Sequence, residues 1–375
     1  MSSEPNRRGI SIRWSLVRSF LLLILLLAGS IFVLLRIAGE RAVDSVATGL
    51  VRRTVDRMEA DLAAFFAPFA SNLHVARDWG AAGALRCRES SCVNQLLAPV
   101  MRRHPQIDSV NTGDASGRGV MLMRTASGWR NRVVDVEAWV GKARFVDLSP
   151  ALETVVERWE AVDYDPRARP WYEIAVGGKA ERVHWTPPYR FFTTQAPGIT
   201  ASVRVAPPGM EPFVLAFDVQ LEAITTFTQR LDAGANGLVF VLSDDGRALG
   251  LPRHPDFDED AERQDATLRT LEELDLPVVE AASAEAAKQG FEGLDTFPFA
   301  YGHETWWGSV RVFQRPGAPS LLLGVLVPER DFLQDLQTMR LWIGGLLLLA
   351  VIAAALLGGW LARKYSRPVR DLVEK

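Results

Sequence analysis

Two apolar runs at opposite ends of the chain limit what it can fold into. The first is Ser19–Leu35, "SFLLLILLLAGSIFVLL", and the second is Leu341–Leu361, "LWIGGLLLLAVIAAALLGGWL". Each approaches the roughly 20 residues that a helix needs to cross a hydrocarbon core, and a helix keeps its backbone hydrogen bonds satisfied there. Arg7, Arg8, Arg13 and Arg18 precede the first run, and Arg363, Lys364, Arg367 and Arg370 follow the second. Both basic flanks face away from the middle of the chain, so both ends are expected in the cytoplasm and residues 40–340 outside it. A cleaved signal peptide is the other reading of the first run. The run is long for one, and no A-x-A site closes it.

The sequence has 375 residues, 48% hydrophobic and 23% charged, which suits a folded chain of more than one domain. Residues 40–340 carry 32 Lys and Arg against 42 Asp and Glu. That acidic balance argues against nucleic acid or an anionic membrane surface as the partner of this segment. The only cysteines, Cys87 and Cys92, stand in "LRCRESSCVNQ". In an oxidising compartment they can close a small loop as a disulfide, the alternative being two free thiols, and they are too few to complete a zinc site.

After the first run, Ala38–Asp78 has a helical period: Val43, Val46, Leu50, Val51, Val55, Met58, Leu62, Phe65 and Phe66 recur at steps that suit one face. From about Ile107 the pattern becomes short apolar stretches divided by Gly and Ser, as in antiparallel strands: "IDSVNT", "GVMLMRT" and "NRVVDVEAW". Residues 150–178 read as mixed. Strands return at 198–206 and 212–220, and "LEAITTFTQRLDAG" is expected to be a helix stopped at Gly234. A second cycle follows, with a hairpin over "GLVFVLSDDGRALG", helical character over 256–289 and three strands in "DTFPFAYG", "ETWWGSVRVFQ" and "SLLLGVLVPE". The reading is α+β: two mixed lobes in series on one long helix. The last stretch, "ARKYSRPVRDLVEK", is expected to open a helix that continues past Lys375.

The chemistry concentrates in "YDPRARPWYEIA", residues 164–175. Pro170 disfavours the α region for Arg169 and suits the first turn of a helix, so a short helix closed by Gly177 and Gly178 is expected. The free N–H groups of Trp171 and Tyr172 and the guanidinium of Arg169 would then meet at a positive helix end, a receptor for a carboxylate. The alternative is plain architecture, in which Arg167 with Asp165 braces the loop and Trp171 and Tyr172 belong to the core. Asp218, at the end of "FVLAFD", needs a cation or several donors if buried, or else it caps the following helix.

"YDPRARPWY", followed by "HWTPPY", "FVLAFDVQL" and a trailing "SRPVRDLVE" between two apolar runs, resembles a double Cache extracytoplasmic sensor leading into a HAMP linker. The likeness covers nearly the whole chain, and its most specific part resembles the amino-acid-binding subclass. The resemblance implies two PAS-like antiparallel-sheet lobes, a membrane-distal one over 105–234 and a membrane-proximal one over 235–332, on a helical stalk over 38–104. It implies transmembrane helices at 16–37 and 341–361, a short cytoplasmic N-terminus over 1–15 and the start of a HAMP-like linker over 362–375. Carried over residue by residue, Tyr164, Arg169 and Trp171 would hold a ligand's α-carboxylate, and Tyr172, Tyr189 and Asp218 its α-ammonium. A homodimer in the inner membrane, with residues 40–340 periplasmic and a cytoplasmic output, is implied in the same way. The alternatives are a sensor of an amine or organic acid, or an ectodomain that contacts a partner without a ligand.

Other patterns carry less. "DFDEDAERQDAT" has three alternate aspartates, yet Ala261 stands where a calcium loop turns on glycine and Thr267 where it places glutamate, so an acidic helix start is expected. The histidines are scattered without metal-ligand spacing, and no hydrolase or phosphate-binding motif is present; neither a metal, a cofactor nor catalysis is expected of this segment. Ala354 with Gly358 and Ala355 with Gly359 could let two membrane helices approach closely.

Overall fold

The computed structural model describes residues 12–83, 89–290, 296–314 and 316–331, and then 342, 344–346, 348–353, 355–357 and 360. The chain divides into two compact units, Met1–Gly49 with Glu329–Lys375, and Leu50–Pro328. In the first unit the apolar run Ser19–Leu35 is helical, with Leu23, Leu26, Phe32 and Leu34 exposed. Leu346, Leu349 and Leu356 of the second run are helical and exposed too. Among the described residues, no helix is long and apolar enough to cross a membrane. The expected linker over 362–375 lies outside the described residues.

The 70-residue helix α1, Ile12–Ala81, enters the second unit at Leu50. Val51, Val55, Met58, Leu62, Phe66, Phe69, Leu73 and Ala76 are buried at three- and four-residue steps, the stripe a helix needs to lie on a body. Each large side chain of that stripe contributes about 1.5–3 kcal/mol by leaving water. Val46 is expected on the same face and is instead half exposed. The stalk is broken: α2, Ser90–Arg103, starts a second helix of opposite burden, with Val93, Leu97 and Met101 buried and Arg102 and Arg103 in its last turn. Cys92 on α2 is disulfide-bonded; Cys87, the chain's other cysteine, lies outside the described residues.

Two antiparallel sheets follow. The first lobe contains β1 (Ser109–Asp114), β2 (Arg118–Thr125), β3 (Gly128–Asp135), β4 (Lys142–Leu148) and β5 (Thr154–Ala161). Helix α3 (Pro170–Gly177) precedes β6 (His184–Trp185), β7 (Tyr189–Arg190), β8 (Pro197–Val205) and β9 (Phe213–Gln220). Their order is β5-β4-β3-β2-β1-β9-β8-β6, with β7 also on β8. Strand β5 is exposed at nearly every position and lacks the alternation that reveals a strand in the sequence. Helix α4 (Leu221–Arg230) leads to the second lobe and ends before Gly234, since Leu231 N–H turns back to Thr228 O.

The second sheet holds β10 (Leu238–Ser243), β11 (Ala248–Gly250), β12 (Phe297–Tyr301), β13 (Glu304–Phe313) and β14 (Leu321–Pro328), ordered β11-β10-β14-β13-β12. The acidic stretch becomes α5 (Asp260–Ala266), with a reciprocal capping box between Glu259 and Glu262, and α6 (Pro277–Gln289) covers the core around Phe240, Val279 and Phe297. Helix α1 touches both lobes. Phe66 and Phe69 pack edge-on to Trp185 of β6 at 5.3 and 5.6 Å, and Asp56 accepts from Arg311 of β13 at 2.6 Å.

In the second lobe Gly324 lies opposite Phe240 across β10 and β14. A Cβ at Gly324 would fall 2.1 Å from the end of that buried ring. Gly324→Ala is therefore expected to destabilise the chain by about 1–3 kcal/mol through overpacking, read from urea unfolding against the wild type.

Candidate functional site

The register of five strands gathers polar side chains on one face of the first sheet. Asp218 on β9 stands opposite Ser109 on β1 and Thr200 on β8. Asn111 shares the face with Ser109 two residues away, Met121 and Met123 of β2 lie opposite them, and Arg132 of β3 lies opposite Met121. On the reverse face Val110, Leu122 and Phe217 are buried, and Asn131 and Asn94 of α2 exchange side-chain hydrogen bonds at 2.7 and 2.8 Å. The sheet thus separates a helix-covered core from a polar floor.

The roof comes from the loop and helix around 164–172 and from the turn after β7. Asp165 accepts from the Arg167 backbone N–H and pairs with its guanidinium at 2.8 Å, closing a one-turn 3-10 helix at Pro166–Ala168. Arg169 has extended backbone and caps α3, with Pro170 in the first helical turn and Gly178 at the other end, as expected from the sequence. Trp171 can lie down on the sheet because Gly113 is bare: a Cβ there would come within 2.9 Å of the indole. The helix end differs from expectation in one respect. The Tyr172 N–H is taken by Arg169 O at 2.9 Å, so it is not offered to a ligand.

Tyr164, Arg169, Trp171, Tyr189 and Asp218 line one cavity that opens partly to solvent. Tyr172 is not among the lining residues; it packs edge-on to Trp171 at 5.9 Å and has Asp114, Arg167 and Arg204 as its charged neighbours. The cavity also takes in residues that sequence reasoning missed: Arg132, Ser109, Asn111 and Asp108 line it, while Thr200 reaches its aspartate. The alternation of Ser109 and Asn111 with Val110 was the available signal for a polar face. Arg132 gave none, since it and Arg130 read as the wet side of a strand.

Asp218 is 6% exposed and heavily hydrogen-bonded. Its Oδ2 accepts from Ser109 Oγ at 2.5 Å and Asn111 Nδ2 at 2.7 Å, and its Oδ1 accepts from Thr200 Oγ1 at 2.6 Å. Since the Thr200 hydroxyl donates to Asp218, the Tyr189 hydroxyl at 2.7 Å donates to Thr200 in turn. Asp218 does not cap α4, whose N-cap is Gln220. Burial pushes the Asp218 carboxyl above its ordinary range, and the bonds from Ser109, Thr200 and Asn111 with the charge of Arg132 pull it back. A carboxylate has about four acceptor positions, so one remains for a cation. Across the cavity, the Arg169 guanidinium carbon lies 5.9, 5.7 and 5.8 Å from the rings of Tyr164, Tyr189 and Phe192. Among the described residues Arg169 has no carboxylate partner, and it is held by aromatic faces alone.

No protein-family profile matches the chain. Two curated methyl-accepting chemotaxis proteins are similar to it: McpC of Bacillus subtilis, 24% identical over 218 residues, 57% of this chain and 28% of that protein, and PctB of Pseudomonas aeruginosa, 28% identical over 220 residues, 56% of this chain and 30% of that protein. The chain spans about three tenths of the length of these relatives. Adenylate cyclase 1 of Rhizobium meliloti is 40% identical over 86 residues, 23% of this chain and 12% of that protein. The ligand-binding domain of the Pseudomonas fluorescens chemoreceptor CtaA, solved with L-isoleucine, superposes with a TM-score of 0.46 at 17% identity, over 79% of this chain and 97% of that one. The resemblance to a double Cache sensor domain is borne out: the chain has two antiparallel-sheet α/β lobes, and its relatives include methyl-accepting chemotaxis proteins.

Asp108 lies beside Asp218 at the cavity floor, its Oδ2 accepting from Gln220 N–H at 2.8 Å. Burial raises its carboxyl from 3.8 to about 6, with the Gln220 bond opposing and the Asp218 charge adding. A raised folded-state value means the native chain holds this proton more tightly than the unfolded one, so this group's contribution is complete near pH 4 and lost as pH rises through 6. Asp108→Asn, which keeps an acceptor for Gln220, is expected to gain stability relative to wild type between pH 4 and pH 7 by up to about 3 kcal/mol. Parallel stability curves in urea across that range would show that Asp108 titrates normally.

Proposed function

We propose that the chain is the sensing portion of a membrane receptor, and that the cavity of its first lobe binds a free L-amino acid. The observation that carries the reading is the pairing within one cavity of a partnerless guanidinium, Arg169, with a buried carboxylate, Asp218, that keeps an open acceptor position. A zwitterion fits both poles: its carboxylate meets the fork of Arg169 near the Tyr164 hydroxyl and the Trp171 indole, and its ammonium meets Asp218 beside the face of Tyr189. Support comes from two of the relatives, which are methyl-accepting chemotaxis proteins, and PctB and CtaA ligand-binding domains have been solved with amino acids bound.

In this reading the two apolar runs are membrane spans, both ends are cytoplasmic, and the 50–328 unit is periplasmic. The chain works as a homodimer without cofactor, and it does no catalysis itself; the output lies in a cytoplasmic region. Signal passes through α1, which packs on Trp185 behind the cavity and pairs with Arg311 in the second sheet. Ligand binding biases two arrangements of that helix by no more than its difference in affinity for them.

The test is thermal and urea unfolding of the full chain in detergent micelles with a panel of L-amino acids. A ligand at a hundred times its dissociation constant is expected to add about 2.7 kcal/mol. Arg169→Ala and Asp218→Asn should abolish that gain, while Tyr172→Phe should keep it. An amino-acid panel without any stabilising member would exclude the reading.

A further inference from the structure

The cavity holds two guanidinium groups, and a simple zwitterion uses only one. Arg132 is 4% exposed, deeper than any other charged side chain among the described residues. Its guanidinium carbon sits 3.6 Å from the centroid of the Tyr164 ring and 5.5 Å from that of Phe192, the same two rings that flank Arg169. Its Nη1 donates to Thr193 Oγ1 at 2.6 Å. These partners are neutral. Among the described residues Arg132 makes no ion pair, and Asp218 is the one acidic carboxylate acting on it at longer range. Burying a cation without a counter-charge is costly unless a partner arrives to neutralise it.

Asp108 and Asp218 stand together at the floor, and the Asp218 charge acts on Asp108 more strongly than that of Arg124, which lies outside the cavity lining. Neither carboxylate forms an ion pair with Arg132, and a neutral amino acid, with its one carboxylate on Arg169, brings it none. Arg132 also enters from β3, three strands away from Asp218 in the sheet order, so it approaches the cavity from the side opposite the ammonium position. A second carboxylate on the ligand would meet Arg132 and the Thr193 hydroxyl and give that buried guanidinium the counter-charge it lacks. Resting on the zwitterion reading of the same site, we infer that this receptor takes an acidic amino acid, of the glutamate or aspartate class, with Arg132 and Thr193 receiving its side-chain carboxylate.

The experiment is titration calorimetry of the full 375-residue chain in detergent micelles with L-glutamate, L-aspartate, L-glutamine and L-asparagine. The better acid is expected to bind at least about tenfold more tightly than its own amide, which has nearly the same shape and lacks the charge. Arg132→Met is expected to bring that ratio close to one. Amides that bind as tightly as the acids, or a ratio unchanged in Arg132→Met, would overturn the inference. Neutral amino acids that bind where none of these four does would also overturn it and leave the zwitterion reading standing; no binding by any amino acid removes both. Should Arg132→Met not fold, the wild-type ratio decides the matter by itself.

Discussion

A carboxylate in the middle of a nine-stranded sheet governs the first lobe. Asp218 occupies an interior position of β9, flanked on both sides by strands, and its burial is tolerable only because Ser109, Asn111 and Thr200 each supply a donor. Those donors come from β1 and β8, so a register slip in either pairing would turn them to the other face and strand the charge. The same hydrogen bonds that make the charge acceptable therefore fix the alignment of the strands that carry the rest of the floor. Tyr189 is tied in through Thr200, which sets the aromatic wall beside the aspartate.

Charge of the opposite sign faces Asp218, with Arg169 in the roof and Arg132 on β3 of the floor. Arg169 and Arg132 are held by aromatic rings rather than by carboxylates, which keeps both guanidinium groups available while limiting where they can move. Had either been paired internally, as Arg167 is with Asp165, it would brace the loop and leave nothing for a ligand. The contrast between Arg167 and Arg169, two residues apart in one short loop, is what separates architecture from recognition here. The 3-10 turn at Pro166–Ala168 and the proline-started helix α3 turn the two side chains to different tasks.

Much of this was legible in the residues, for reasons that can be traced. Pro170 dictated the start of α3, the Asp165–Arg167 pair was readable from its spacing, and the buried stripe of α1 follows its apolar period from Val51 onward. What escaped was whatever depends on long-range pairing. Strand β5 is exposed and shows no alternation, so only its ladder with β4 reveals it. Arg132 belongs to the cavity because Tyr164, 32 positions later, folds over it, and no local pattern announces that contact. Tyr172 illustrates the converse. The resemblance placed it at the α-ammonium, but one helical step along α3 it packs edge-on to Trp171 and against the same apolar cluster, outside the cavity lining.

The central claim is that the cavity recognises both poles of one small molecule at once. It is tested most directly by titrating an amino acid that binds against two truncated forms of itself, the amine that lacks the α-carboxylate and the acid that lacks the α-ammonium. The account predicts that each truncation weakens binding by about a hundredfold or more, because each leaves a charge of the cavity unmatched. Binding of either truncated form at the affinity of the parent amino acid would contradict it.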